Sequence, residues 1–195
     1  KVTCTLGEVM NRADFVIYWG GNPFDCHPRH FTKYALTPKG KYVPEGRKGR
    51  TMVLVDVRET MSARFADINL QVRPGKDFEV LTTLRALVKG QPVNKTAVEE
   101  TGLSMEQLED MVERMKAARF GVLFFGMGLS MTRGKHMNSA AALALVAEMN
   151  AFTKFVSMPM RGHGNVTGAD VVMRWSTGFP FGVNRYSGAP EYGKL

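Results

Sequence analysis

Four short stretches of this 195-residue chain join small residues to polar groups that can do chemistry. The first is "WGGNPFDCHPRHFTKY", Trp19 to Tyr34, where Gly20, Gly21, Asn22 and Pro23 run into a cysteine, His27 and His30. The second is "DVRET", with Asp56 and Arg58; the third is "GMGLSMTRG", with Gly126, Met127 and Gly128; the fourth is "RGHGNVTG", with Arg161, Gly162, His163 and Asn165. Glycine lets backbone come close to a ligand, and the neighbouring polar groups can grip phosphate, ribose or a heterocycle. Arg161 offers a planar, permanently charged donor that can hold a carboxylate or oxyanion with two prongs. His163 can pass protons near neutral pH.

Each stretch also has a plainer reading. Gly20 and Gly21 suit an ordinary turn, Asp56 and Arg58 a surface pair, Arg161 a bridge between carbonyls, and His163 a histidine satisfied in a turn. "GMGLSM" is not the dinucleotide fingerprint, because Met131 stands where the third glycine belongs. Position separates these readings. Every one of the four stretches follows an apolar run of strand length, and together they argue for a large, phosphate-bearing ligand.

Those runs are "DFVIYWG", "TMVLVDV", "FGVLFFGMG" and "KFVSMPM", which read as four buried strands. Segments of helical period lie between them: "DFEVLTTLRALVKG" with Gly90 as its stop, "SMEQLEDMVERMKAARF" with Ser104 and Gln107 at capping-box spacing, and the alanine-rich "NSAAALALVAEMNAF". This order predicts an α/β fold, a mainly parallel sheet with helices on both faces. In such sheets ligands bind at the carboxyl ends of the strands, where all four polar stretches fall. A long crossover rich in Gly, Pro, Lys and Arg joins the first two strands. From about Arg161 glycines, prolines and aromatics crowd in without a steady period. The expectation is a sheet-and-helix core over 1–160 and an irregular tail over 161–195 that contacts a cofactor or partner, all within part of a larger architecture.

Composition narrows the classes. With 44% hydrophobic residues the chain can build one real core. No apolar run reaches membrane-span length and no signal peptide is visible, so the expectation is a cytoplasmic protein without a membrane span. Two cysteines, Cys4 and Cys26, form neither a disulfide framework nor a metal-ligand spacing, and no metal ligand is expected within this sequence. The net charge of +8 has one dense patch, "KGKYVPEGRKGR", without the aromatic interleaving of a nucleic-acid binder. It reads as a solvated loop, and no nucleic-acid partner is expected.

The four stretches, in this order, resemble the molybdenum or tungsten bis-pyranopterin guanine dinucleotide oxidoreductases, the superfamily that includes formate dehydrogenases. "ADFVIYWGGNPFDCHPRH" is similar to its strand, Ser/Gly-Asn-Pro loop and His-Pro step. "LVDVRETMSARFADINLQVRPGKDFEVLTTLRAL" resembles its Asp-Pro-Arg segment followed by Ala-Asp and Pro-Gly-x-Asp, and "RGHGNVTGADVV" its Arg-Gly-x-x-Asn-Val-x-Gly segment. "TCTLGEVMNRADFVIYWGGNP", "FGVLFFGMG" and "PMRGHGNVTG" narrow the resemblance to the B-subunit family of formylmethanofuran dehydrogenases.

This resemblance implies Rossmann-like parts of the molybdopterin oxidoreductase fold. It also implies an oxidoreductase with a ferredoxin-type acceptor, active only within a complex. Such enzymes reduce CO2 to formate at molybdenum or tungsten held by two molybdopterin guanine dinucleotides, or run the reverse, in methanogenesis and one-carbon metabolism. The implied partners are an amidohydrolase-like A-type component that condenses formate with methanofuran, C-type and D-type components, and ferredoxin-like iron-sulfur subunits. Gly20, Gly21, Asn22 and Pro23 would line the dinucleotide with His27 close by, and Asp56, Arg58 and Asp77 would recognise ribose, phosphate or guanine. Gly126, Met127 and Gly128 would let the backbone pass the cofactor. Gly162 and Asn165 would belong to its binding segment, while Arg161 and His163 would be catalytic, Arg161 facing the metal.

An iron-sulfur segment and a metal-ligating Cys-His step would precede Thr3, outside this sequence or in partner subunits. Asp-Val-Arg replaces Asp-Pro-Arg, losing a rigid turn but keeping both polar groups. The alternatives are a non-redox B-type component of a formyltransferase/hydrolase complex and a plain nucleotide-binding module.

Overall fold

The computed structural model describes residues 3–163 and 165–193. The chain divides into two compact units, Lys1–Met160 and Arg161–Leu195. In chain order the first unit runs α1 (Leu6–Arg12), β1 (Phe15–Trp19), α2 (Pro23–Cys26), β2 (Thr51–Asp56), β3 (Ile68–Gln71), α3 (Asp77–Val88), α4 (Lys95–Glu99), α5 (Met105–Ala117), β4 (Phe120–Phe125), α6 (Met127–Ser130), α7 (His136–Met149) and β5 (Lys154–Pro159). Its five strands form one parallel sheet in the order β3-β2-β1-β4-β5.

Alternation along β1 splits the core into two layers. Phe15, Ile17 and Trp19 face α3, α5 and α7, packing with Val80, Leu84, Met111 and Leu145. Val16 and Tyr18 face the other way, with Val9 of α1, Phe31 and Leu36. All five residues of β1 are buried, as a central parallel strand requires. The four apolar runs are the four longest strands of the described residues. β3, "INLQ", escapes a sequence reading because it is an edge strand with only Leu70 buried.

The helix ends obey local chemistry. Ser104 and Gln107 form the expected capping box of α5, and α3 stops at Val88, two residues before Gly90. Thr5 and Glu8 form a second capping box on α1, a helix whose seven residues are too few to show a period.

The basic crossover between β1 and β2 is held from inside. Arg50 is buried, and its guanidinium donates to the carbonyl oxygens of Ala13 (2.9 Å), Leu36 (3.1 Å), Pro38 (2.7 Å) and Met10. Arg47 donates to Asp67 at 2.8 Å and to the Phe65 carbonyl at 2.9 Å. Two charges of the dense basic patch are therefore engaged in tying loops together.

The second unit contains α8 (Val166–Thr177) and a short antiparallel pair, β6 (Val183–Asn184) with β7 (Glu191–Tyr192). Phe179 stacks on Tyr192, with ring centroids 5.4 Å apart. The segment thus holds a helix and a strand pair. Gly164, Lys194 and Leu195, part of the tail expected from the sequence, lie outside the described residues. Among the described residues no helix is long and apolar enough to cross a membrane.

Candidate functional site

Strand order reverses between β1 and β4, the position at which open parallel sheets bind their ligands. The loop after β1 carries Gly20, Gly21, Asn22 and Pro23; the loop after β4 carries Gly126, Met127 and Gly128. They are bonded to each other. The Gly126 N–H donates to the Trp19 carbonyl at 2.9 Å and the Gly128 N–H to the Gly20 carbonyl at 2.8 Å. A Cβ on Gly20 would stand 2.3 Å from the Leu129 nitrogen, and one on Gly126 or Gly128 would stand 2.4 or 2.6 Å from the Gly20 oxygen. These three glycines are required by the contact of loop with loop. Met127 between them is 60% exposed.

Asn22 anchors the first loop from below. Its Oδ1 accepts from the Ser62 hydroxyl at 2.6 Å, and that hydroxyl accepts the Phe24 N–H at 3.1 Å. Pro23 opens α2, where a missing N–H does no harm. Ser62 is fully buried and was not singled out in the sequence, where a serine inside "TMSARF" carries no signal of its partner forty residues away.

His27 closes α2, its Nδ1 3.0 Å from the Cys26 sulfur, and burial pushes the Cys26 thiol up. The His27 ring lies 6.2 Å from that of His30. His30 is buried edge-on against Phe124, with centroids 4.9 Å apart, and against Tyr18 at 5.8 Å. Burial, helped by His27, lowers its pKa to about 4. Neither its Nε2 nor the Tyr18 hydroxyl has a hydrogen-bond partner among the described residues.

Asp56 ends β2, and its carboxylate accepts the Arg58 N–H at 3.3 Å. Asp56, Arg58, Glu59, Asn69, Leu70 and Gln71 line a cleft of ≈ 140 Å³ at the carboxyl ends of β2 and β3. Asp77, the first residue of α3, is 3% exposed. Its Oδ1 accepts the Trp19 indole N–H at 2.8 Å, while Oδ2 has no partner among the described residues. Burial pushes the Asp77 carboxyl up; the Trp19 and backbone N–H groups oppose this, and Asp56 and Glu79 add to it. Asp77 is thus tied to the end of β1, on the edge that also carries Gly20 and Asp56.

No protein-family model matches the chain. Individual relatives do. Over 189 residues, 97% of the chain, it is 49% identical to the B subunit of the tungsten-containing formylmethanofuran dehydrogenase 2 of Methanocaldococcus jannaschii. The same subunit of Methanococcus maripaludis is 47% identical over 188 residues, 96% of the chain. Along almost its whole length the chain is similar to part of the B subunits of formylmethanofuran dehydrogenases. It spans 43% of the length of each of these relatives. In fold it is similar to a chain of the formyltransferase/hydrolase complex of Methylorubrum extorquens, solved with methylofuran. There the TM-score is 0.66 at 19% identity, over 98% of this chain and 48% of that one.

The remaining residues that the family resemblance singles out, Arg161, Gly162, His163 and Asn165, belong to the second unit. Arg161 and His163 are exposed and precede α8 in the chain. Asn165 takes a left-handed conformation, φ 50°, just before the helix begins. Its side chain lies over Gly168, where a Cβ would come within 2.3 Å of it. Among the described residues no group of three or more His, Cys, Asp and Glu side chains is placed to hold a metal ion.

Proposed function

We propose that the chain is a cofactor-holding portion of the catalytic B subunit of a formylmethanofuran dehydrogenase. The complex would reduce CO2 to formate with two electrons and a proton at a tungsten or molybdenum bis-pyranopterin site, or run the reverse. Formate would then condense with methanofuran elsewhere in the complex. The observation that carries this reading is identity near one half, along almost the whole chain, to relatives named as B subunits of a tungsten-containing formylmethanofuran dehydrogenase.

The residues of the first unit fit a guanine dinucleotide. A buried Asp77 oxygen without a partner among the described residues calls for a donor from a ligand, as a heterocyclic N–H would supply. Asp56 and Arg58 line a cleft beside it that suits ribose and phosphate. Gly20 to Pro23 and Gly126 to Gly128 stand at the strand-order reversal, where a dinucleotide would lie against backbone. When bound, the group would supply the metal through which electrons pass. Arg161 would hold the carboxylate of formate by charge-assisted hydrogen bonds, and His163 would move its proton. The other subunits of the complex, including the amidohydrolase-like and iron-sulfur subunits, would be this chain's partners.

A second reading is a family member without redox chemistry, favoured by the fold likeness to the formyltransferase/hydrolase complex. Metal and nucleotide analysis of the purified intact complex separates the two. Stoichiometric tungsten or molybdenum with guanine nucleotide supports the dehydrogenase; neither metal nor guanine nucleotide in an assembled, formyl-transferring complex rejects it.

A further inference from the structure

Trp19 ends β1 fully buried in the core layer that also contains Val80 and Leu81 of α3. An indole nitrogen can only donate, and this one reaches Asp77 Oδ1 at 2.8 Å. The carboxylate is 3% exposed and its other oxygen has no partner among the described residues. One oxygen is therefore pinned by a side chain that packing holds still, and the other is buried without a partner among the described residues.

We propose that Trp19 is a positioning residue, which holds the Asp77 carboxylate so that Oδ2 stays reserved for an N–H donor on the heterocycle of the bound nucleotide. This rests on the reading of Asp77 as a cofactor-contacting residue. The ligand edge it selects presents N–H or amino donors, as guanine does. An edge presenting a ring-nitrogen lone pair would face a carboxylate lone pair and be rejected. Trp19 has a second effect through charge. Its N–H stabilises the ionised carboxylate against burial, while the carboxylates of Asp56, at the end of β2, and Glu79, on α3, disfavour it. Without that N–H the group would take a proton at higher pH, and the neutral acid would lose the charge that strengthens its bond to the ligand N–H.

The test uses the intact complex carrying Trp19→Phe, Asp77→Asn or both. The readout is guanine nucleotide retained per complex after gel filtration across a pH series, measured after acid release. For Trp19→Phe, retention should fail at a higher pH than in the wild type and recover at alkaline pH. Asp77→Asn should retain at least about tenfold less at every pH, because Trp19 pins the amide oxygen and turns the NH2 to the ligand. The double variant should regain part of the loss, since the amide can then rotate. A Trp19→Phe profile superimposed on the wild type, beside an Asp77→Asn loss, overturns the role of Trp19 and leaves the cofactor reading intact. Loss in Trp19→Phe at all pH without alkaline recovery also overturns it, as a purely structural effect. Wild-type retention in Asp77→Asn overturns both the inference and the assignment of Asp77. Should Trp19→Phe fail to assemble, Asp77→Asn still decides: a loss of about tenfold or more supports the pinning, and any smaller loss overturns it.

Discussion

The Gly128 N–H donates to the Gly20 carbonyl oxygen across 2.8 Å, so the loops on either side of the strand-order reversal are bonded into one piece. A ligand in that crevice would meet a paired backbone already fixed in shape. The glycines of "GGNP" and "GMG" serve the fold first, through contact with each other, and serve a ligand by what that contact leaves rigid.

Gly20→Ala should therefore be strongly destabilising. Gly20 has φ 57°, and a new Cβ would stand 2.3 Å from a backbone nitrogen that cannot swing away. The left-handed conformation and the forced repacking together cost about 3 kcal/mol or more. Gly7→Ala in α1 is the control, since its Cβ would meet only the Thr5 hydroxyl at 3.7 Å and should be neutral or mildly stabilising. Denaturant unfolding of the two variants, in the full-length protein, gives the comparison. Equal stabilities would remove the close approach.

His30 should set part of the acid limit of stability. Its folded pKa of about 4 lies below the ordinary 6.5. The unfolded chain therefore binds a proton through that interval while the folded chain does not. Stability is complete above about pH 6.5 and falls as the pH drops towards 4, by about 3 kcal/mol for this one group. His30→Phe keeps a ring against Phe124 and Tyr18 and removes the buried nitrogen that has no partner among the described residues. Unfolding measured at pH 7 should be nearly unchanged, and the decline between pH 6.5 and 4 should become shallower. Identical acid limbs would show that His30 takes its proton without cost.

Arg50→Lys should cost about 2–4 kcal/mol although charge is kept. The guanidinium serves four carbonyls, of Met10, Ala13, Leu36 and Pro38, from one plane. A lysine ammonium is a single point with three protons and leaves some of these oxygens bare. Thermal unfolding checks the size of the loss, and limited proteolysis should find new cleavage between Leu36 and Arg50. A variant as stable as the wild type and cut nowhere in that loop would count against the staple.

How much of this is open to a sequence reading follows from the range of each signal. β1, β2, β4 and β5 are buried on both faces and read as unbroken apolar runs; β3 is an edge whose Asn69 and Gln71 face away from the core, and it escapes notice. The α5 capping box spans three residues and is legible. The contacts that define the site do not have that range. Trp19 and Asp77 are 58 residues apart, and Asn22 and Ser62 are 40. Gly20 and Gly128 stand out as glycines after strands, but their mutual contact depends on the strand order. The helix α8 hides behind a glycine-rich start and buries no residue of its own, so its apolar positions do not line a visible core.

The last prediction concerns the role proposed for Arg161. Arg161→Lys, in the intact complex, should leave metal and guanine nucleotide nearly unchanged while formate oxidation or CO2 reduction falls by about two to three orders of magnitude. Lysine keeps the charge but has no planar pair of donors to hold a carboxylate as charge shifts during the reaction. Arg161 is exposed, ahead of α8. A structural arginine would behave otherwise, with stability and cofactor content falling together. Kinetics, metal content and unfolding measured on one preparation distinguish the cases, and full activity at full metal occupancy would remove Arg161 from the mechanism.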